Sequence, residues 1–373
     1  MKSTGMPYHR IVVKLGTSTL TAGTTHLSLP TMVELVRQVS RLHAAGMQVI
    51  LASSGAIAAG NEALNYPDLP KFVPSKQMLA AVGQPRLMSI YSQLFGLYNI
   101  PVAQVLITRT DLADRVRYLN AHNTLEALLS QQVVPIINEN DTVATEEIRF
   151  GDNDSLSALV STVINADLLV LLTDQEGMFT ADPRQDAAAE LVTEVNSPEI
   201  PEALWQAAGG TRSGLGTGGM VTKLQAADLA RRSGTTVIIA NGAEPEVLLR
   251  IAQGECLGTR LSPVMTAMEA RKRYILSGMR NSGAVLADAG AVLALGRGGS
   301  LLPVGITTIE GAFDRGDTVR VIGTDKREIA IGLSNYSAHD LKLLMGRKSA
   351  EIEIILGYTY GDEVIHHNNM ILL

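Results

Sequence analysis

The chain has 373 residues, 46% of them apolar and 18% charged, a balance that supports buried cores and excludes a disordered protein. Its 31 Lys and Arg against 37 Asp and Glu give a net charge of −6, which argues against a general nucleic-acid binder. The single cysteine, Cys256, excludes an internal disulfide and a multi-thiolate metal site, and fits a reducing, cytoplasmic setting.

From the amino terminus, the first apolar run is interrupted by Lys14 and Gly16, which is too short for a signal peptide. IVVKL from Ile11 reads as a strand, and Met32, Leu35, Val36, Val39 and Leu42 mark one face of a helix ending at Gly46. QVILAS follows as a strand, and SSGAIAAG opens a helix. VAQVLIT, VVPIIN, LLVLLT and TTVIIA are further strands, separated by helical stretches such as Leu119 to Gln131. The longest apolar stretch, SALVSTVINADLLVLL, is split by Asn165 and Asp167, so no membrane span is expected. Strands apolar on both faces and alternating with helices predict an α/β fold with a mostly parallel sheet covered by helices on both faces. After Cys256 the alternation ends. A basic cluster (Arg271, Lys272, Arg273) and a glycine precede GAVLADAGAVLAL, SLLPVGITTIEGAF and DTVRVIG, which read as short strands, with a helix near Ala338 to Leu344. The expected division is a domain over 1–265 and a small β-rich domain over 278–373.

Four loops could carry chemistry. Lys14 ends the first strand beside Gly16, where open α/β sheets place ligands. Ser53, Ser54 and Gly55 precede a helix, either as an anion site or as an ordinary serine cap. Asn138, Glu139, Asn140, Asp141, Asp152, Asn153 and Asp154 fall within seventeen residues around a hairpin-like segment; they could meet an ammonium group, hold a metal or orient lysines. Thr173 and Asp174 end a strongly apolar strand. Gly214, Gly216 and Gly219 form a glycine-rich loop before a helix, with Lys223 in its first turn. That run follows a long irregular stretch rather than a first strand, so a dinucleotide fingerprint is rejected in favour of a phosphate loop. His366 and His367 are adjacent and, on a strand, would face opposite ways. Cys256 reads as a small buried hydrophobe. Two lysines, anion loops and a carboxylate cluster with no placed histidine point to phosphoryl transfer onto an acceptor that is already ionised.

KLGTSTL, SSGAIAAG, KQMLAAVGQPRL, INENDTVAT, GDNDSLSALV, LLTDQEGMFTADPR and SGLGTGGMVTKLQAADLA run in the order of the amino acid kinase family, in its glutamate-phosphorylating branch, and the tail resembles that branch's PUA domain. The resemblance implies ATP-dependent phosphorylation of the γ-carboxylate of L-glutamate, the first step of proline biosynthesis, in the cytoplasm. It implies that Lys14 and Lys223 neutralise the transferring phosphoryl group, with Asp154 holding the two lysines. By the same resemblance, Thr173, Asp174, Thr217, Gly218, Gly219, Met220, Val221, Thr222 and Lys223 would hold ATP, and Lys14 would touch its phosphate tail. Ser54, Asp141 and Asn153 would bind glutamate, with Asp141 suited to its ammonium group. Mg²⁺ would ride on ATP phosphates and water. The resemblance further implies inhibition by proline and a homo-oligomer, dimer or tetramer. Other acceptors of the same family, aspartate, acetylglutamate or carbamate, remain alternatives. RNA binding by the tail is disfavoured, because Ser277 to Leu373 carry nine Lys/Arg against eleven Asp/Glu.

Overall fold

The computed structural model describes residues 7–70, 72–144, 152–209, 219–276 and 283–373. The chain forms two units: Met1–Ala113 with Ala121–Ala267, and Asp114–Asn120 with Met268–Leu373.

The first unit begins with β1 (Arg10–Leu15), α1 (Thr17–Thr21), α2 (Leu29–Ala44), β2 (Gln48–Ser53), α3 (Ala56–Ala63) and α4 (Val73–Gly96). It continues through β3 (Val102–Ile107), α5 (Arg109–Ala113), α6 (Arg115–Ser130), β4 (Val134–Glu139), α7 (Asp152–Val163) and β5 (Leu168–Thr173). Three short strands, β6 (Met178–Phe179), β7 (Leu191–Val192) and β8 (Glu194–Val195), lead to α8 (Glu202–Ala207) and α9 (Met220–Arg231). β9 (Thr236–Asn241), α10 (Val247–Ala252) and β10 (Thr259–Leu261) complete it. Its large sheet runs β3-β4-β2-β1-β5-β9-β10-β8. The six strands from β3 to β9 are parallel, and β10 pairs antiparallel to β9.

β1 lies near the middle, and its alternation decides what reaches each face. Ile11, Val13 and Leu15 join the core with α2, α3, α4 and α10. Val12 and Lys14 therefore point the other way, toward the face on which α7 packs beside α9. Helices cover both faces, as strands apolar on both sides require.

The second unit contains α11 (Ala267–Leu276, shared at its first residue), β11 (Ala284–Ala287), α12 (Ala289–Gly296), β12 (Ile306–Glu310), β13 (Thr318–Ile322), β14 (Glu328–Leu333), α13 (Ala338–Leu344), α14 (Ile352–Leu356) and β15 (Met370–Leu372). Its sheet runs β12-β11-β13-β14-β15, antiparallel except for β11 beside β13. The segment Asp114–Asn120, from the first turns of α6, belongs to this unit. Leu119 is fully buried with Ile275, Ile331 and Leu333. The Arg115 guanidinium donates to Thr318 Oγ1 at 2.9 Å, and Arg315 donates to Asn120 Oδ1 at 2.6 Å.

Three local expectations are corrected. The second half of GAVLADAGAVLAL is helix α12, because Asp288 caps its first turn by accepting from Ala291 N–H, and Ala and Leu favour helix. His366 and His367 flank the start of a short 3₁₀ turn, not a strand, with ring centroids 4.2 Å apart. Cys256 is exposed, in the segment between Gly254 and Gly258 that follows α10, where the neighbouring Leu257 and not the cysteine packs against the core. Among the described residues no helix is long and apolar enough to cross a membrane.

Candidate active site

Four of the segments singled out by the sequence leave the carboxyl end of a parallel strand: Gly16 after β1, Ser54 after β2, Asn140 after β4 and Asp174 after β5. Register brings them together, because Lys14 pairs with Ala52 on one side and Leu171 on the other. The first turns of α7 and α9 complete the edge with Asn153, Asp154, Thr222 and Lys223.

Charge gathers around Asp154, which is 1% exposed. Lys14 Nζ lies 2.6 Å from Asp154 Oδ1, and Lys223 Nζ lies 3.5 Å from Oδ2. Thr222 Oγ1 donates to Oδ2 at 2.8 Å. Burial alone would raise the Asp154 carboxyl, but the charges of Lys14 and Lys223 and the hydrogen bonds from Lys14 and Thr222 outweigh it and hold the group below the usual carboxylate range. Burial lowers the Lys14 ammonium and Lys223 lowers it further, with Asp154 only partly restoring it. A buried ion pair is a poor source of stability, so one placed at a ligand edge points to chemistry. Gly219 starts α9 at φ 80°, ψ −134°, a conformation open to glycine, and this start sets Lys223 one turn in.

A second cluster is made of neutral groups. Asn153 Nδ2 donates to Ser54 Oγ at 3.0 Å and to Asn138 Oδ1 at 2.9 Å. Asn138 Nδ2 donates to Gln84 Oε1 at 2.9 Å. The Glu139 N–H points at Asn138 Oδ1 (2.9 Å) and Asn153 Oδ1 (3.3 Å). Ser53 Oγ donates to the Ser54 carbonyl at 3.0 Å, which leaves the Tyr91 O–H as donor to Ser53 Oγ at 2.7 Å. Burial pushes the Tyr91 phenol well up, so it keeps that proton. The helix after Ser54 is capped by Gly55 with no side-chain cap bond, so Ser54 is not an ordinary serine cap. Asp141 is half-buried in the turn after β4, and burial raises its carboxyl.

Thr173 and Asp174 end β5, with Thr173 Oγ1 donating to Asp174 Oδ1 at 3.1 Å. They line a cleft of about 800 Å³ together with Arg184, Gly219, Met220 and Lys223, a size suited to a nucleotide. Val221 is buried in the core at 1% exposure and is not among the residues that line the cleft. Thr222 is spent on Asp154. Thr217 and Gly218, with Gly214 and Gly216, lie outside the described residues, as does the centre of the hairpin-like segment at 145–151. Asn153 and Asp154 lie within the first turn of α7 and do not precede it.

Gln84 and Tyr91 are the functional candidates that sequence reading missed. Both sit on α4, and with Gln77, whose amide donates to the Ala144 carbonyl at 3.1 Å, they recur every seven residues on one helix face. A polar stripe at that spacing was the available signal.

The sequence profile of the amino acid kinase family matches residues 9–241. That of the PUA domain matches residues 283–356. A glutamate 5-kinase from Shewanella amazonensis is 53% identical, covering 100% of this chain and 98% of its own length. One from Photobacterium profundum is 52% identical with the same coverage. One from Herpetosiphon aurantiacus is 52% identical over 97% of this chain and 98% of its own.

Proposed function

We infer that this chain, which belongs to the amino acid kinase family and to its glutamate 5-kinase branch, phosphorylates the γ-carboxylate of L-glutamate with ATP. The product is L-glutamyl 5-phosphate, the first intermediate of proline biosynthesis. The observation that carries the mechanism is the Lys14–Asp154–Lys223 bridge at the carboxyl edge of the sheet.

The acceptor carboxylate has an ordinary pKa of about 4.3, so it is ionised at neutral pH and needs no general base. Its oxygen attacks the γ-phosphorus of Mg²⁺–ATP as the bond to the β,γ-bridging oxygen breaks and ADP leaves. The obstacle is charge: two unit charges 4 Å apart repel by about 4 kcal/mol at an effective dielectric near 20. Lys14 and Lys223 offset this, and Asp154 keeps the buried Lys14 close to where the charge develops. Thr173, Asp174, Gly219, Met220 and Lys223 line the nucleotide side, with Thr217 and Gly218 assigned to it from the sequence motif. Thr222 serves this side through Asp154. Mg²⁺ would be carried on the ATP phosphates and water as part of the substrate.

Ser54, Asn153 and Asp141 form the glutamate side. Asp141 suits the α-ammonium, since a charged partner would relieve the cost of its burial. Proline carries a similar cationic nitrogen and carboxylate, which supports inhibition at or near this pocket. Exposed Leu64, Tyr66, Phe72, Met78 and Val82 leave an apolar surface along α3 and α4, which supports a homo-oligomer; sizing with and without proline tests both.

The deciding assay traps the acyl phosphate with hydroxylamine. ATP- and glutamate-dependent hydroxamate is expected. Its absence, or activity on N-acetylglutamate but not glutamate, would overturn the assignment.

A further inference from the structure

We propose that Gln84, in the middle of α4, is a positioning residue that sets the donor direction of the Ser54 hydroxyl toward the acceptor. The proposal rests on the reading that Ser54 meets glutamate.

The argument is one of counting hydrogens. Asn153 Nδ2 has two, and its short bonds use both: one to Ser54 Oγ at 3.0 Å and one to Asn138 Oδ1 at 2.9 Å, with the Ser53 carbonyl a longer third contact at 3.5 Å. Its carbonyl oxygen faces the Glu139 N–H. The Asn153 hydrogens are thus taken by protein, and its donor effect on a ligand passes through Ser54. Because Ser54 Oγ accepts from Asn153, its own proton is left to be donated outward, and a carboxylate is an acceptor only. A Ser54 hydroxyl turned the other way would present a lone pair to an anion.

Two groups fix the direction of this chain: the Glu139 N–H, a donor that cannot flip and that points at Asn138 Oδ1 and Asn153 Oδ1, and Gln84. An asparagine amide can flip end for end, and Asn138 stays in the useful orientation only while its Nδ2 has an acceptor and its Oδ1 faces Asn153. Gln84 Oε1 is that acceptor, at 2.9 Å and with the residue 8% exposed. The Gln84 amide nitrogen is directed in turn to Gln104 Oε1 on β3, at 3.3 Å. Donor-to-acceptor bonds therefore run from Asn153 on α7 through Asn138 on β4 and Gln84 on α4 to Gln104 on β3, while the other Asn153 hydrogen goes to Ser54 in the loop after β2. α4 can serve because it lies directly against α3: a Cβ on Gly83 would stand 1.8 Å from the Ala56 carbonyl oxygen. Gln77 and Tyr91, one heptad to either side, tie the loops after β4 and β2 to the same helix face.

The test is steady-state kinetics of Gln84→Met, which keeps shape and loses both ends, and Gln84→Glu, which keeps an acceptor for Asn138. Gln84→Met is expected to raise glutamate KM about tenfold, with kcat and ATP KM within about twofold. Gln84→Glu is expected to return glutamate KM to within about threefold of the parent. Combining Gln84→Met with Ser54→Ala should add nothing to Ser54→Ala alone, because the first acts through the second. If Ser54→Ala raises glutamate KM and Gln84→Met does not, or if the two effects add in full, or if Gln84→Glu is as impaired as Gln84→Met, the positioning role is overturned. If Ser54→Ala leaves glutamate KM unchanged, the underlying reading of Ser54 falls instead. A lowered melting temperature with all kinetic constants intact would reduce Gln84 to a structural part and overturn the proposal.

Discussion

The two ends of the strand edge solve different problems with different chemistry. Around Asp154 the groups are ionic, with two lysines on one buried carboxylate. Around Ser54 they are neutral, a chain of amides and hydroxyls. An ammonium group neutralises charge from any direction, whereas an amide chain contributes little charge but imposes direction. The phosphoryl side needs the first because its difficulty is repulsion between anions. The acceptor side needs the second because its difficulty is aiming one oxygen at phosphorus.

If that contrast is right, charge removal should appear in kcat and direction removal in KM. The largest effect is expected for Lys223→Met, a fall in kcat of about 10²–10³ with glutamate KM little changed. Unchanged kcat with raised KM would erase the contrast. Next, Ser54→Ala should raise glutamate KM about tenfold and leave ATP KM alone.

A pH profile sharpens the charged side. Lys14 is lowered by burial and by Lys223, so it loses its proton, and activity falls, as pH rises through a value under the usual 10.5. Asp154 opposes that lowering, so Asp154→Asn should move the alkaline limb of kcat/KM for ATP to lower pH. An unmoved limb would assign it to another group. Asp154 itself is held under its ordinary 3.8, so the stability it confers is complete above that value and lost only as pH falls through the lower, folded value. The smallest expected effect is on the support of the neutral side. Gly83→Ala should cost about 1–3 kcal/mol in unfolding free energy and raise glutamate KM modestly, by forcing α3 away from α4.

The two ends also differed in how readable they were. The role of Asp154 came from the family resemblance, whereas Lys14 and Lys223 stand in local patterns, a lysine ending a strand and a lysine opening a helix after glycines, so they were candidates without knowing the fold. The sheet was legible for the same reason, since IVVKL, QVILAS and LLVLLT signal buried parallel strands by themselves. Gln84 is different. Its partner Asn138 is 54 residues away, and the polar stripe it shares with Gln77 and Tyr91 on α4 names neither the partner nor the direction of the bond. α12 was misread because AVLAL suits a strand or a helix equally, and the Asp288 cap decides. Direction in a hydrogen-bond chain depends on every member at once, which a linear reading does not supply.

The segment Asp114–Asn120 has one more consequence, for how the molecule could be taken apart. The carboxyl-terminal unit borrows seven residues from far upstream, and Leu119 among them is fully buried. No single cut in the chain therefore releases either unit intact. Ending the polypeptide after Ala267 would strip Leu119 of Ile275, Ile331 and Leu333, while starting it at Met268 would leave that small core without its keystone. Either half made alone would therefore expose apolar surface that the intact chain buries, on Leu119 or on the residues it covers.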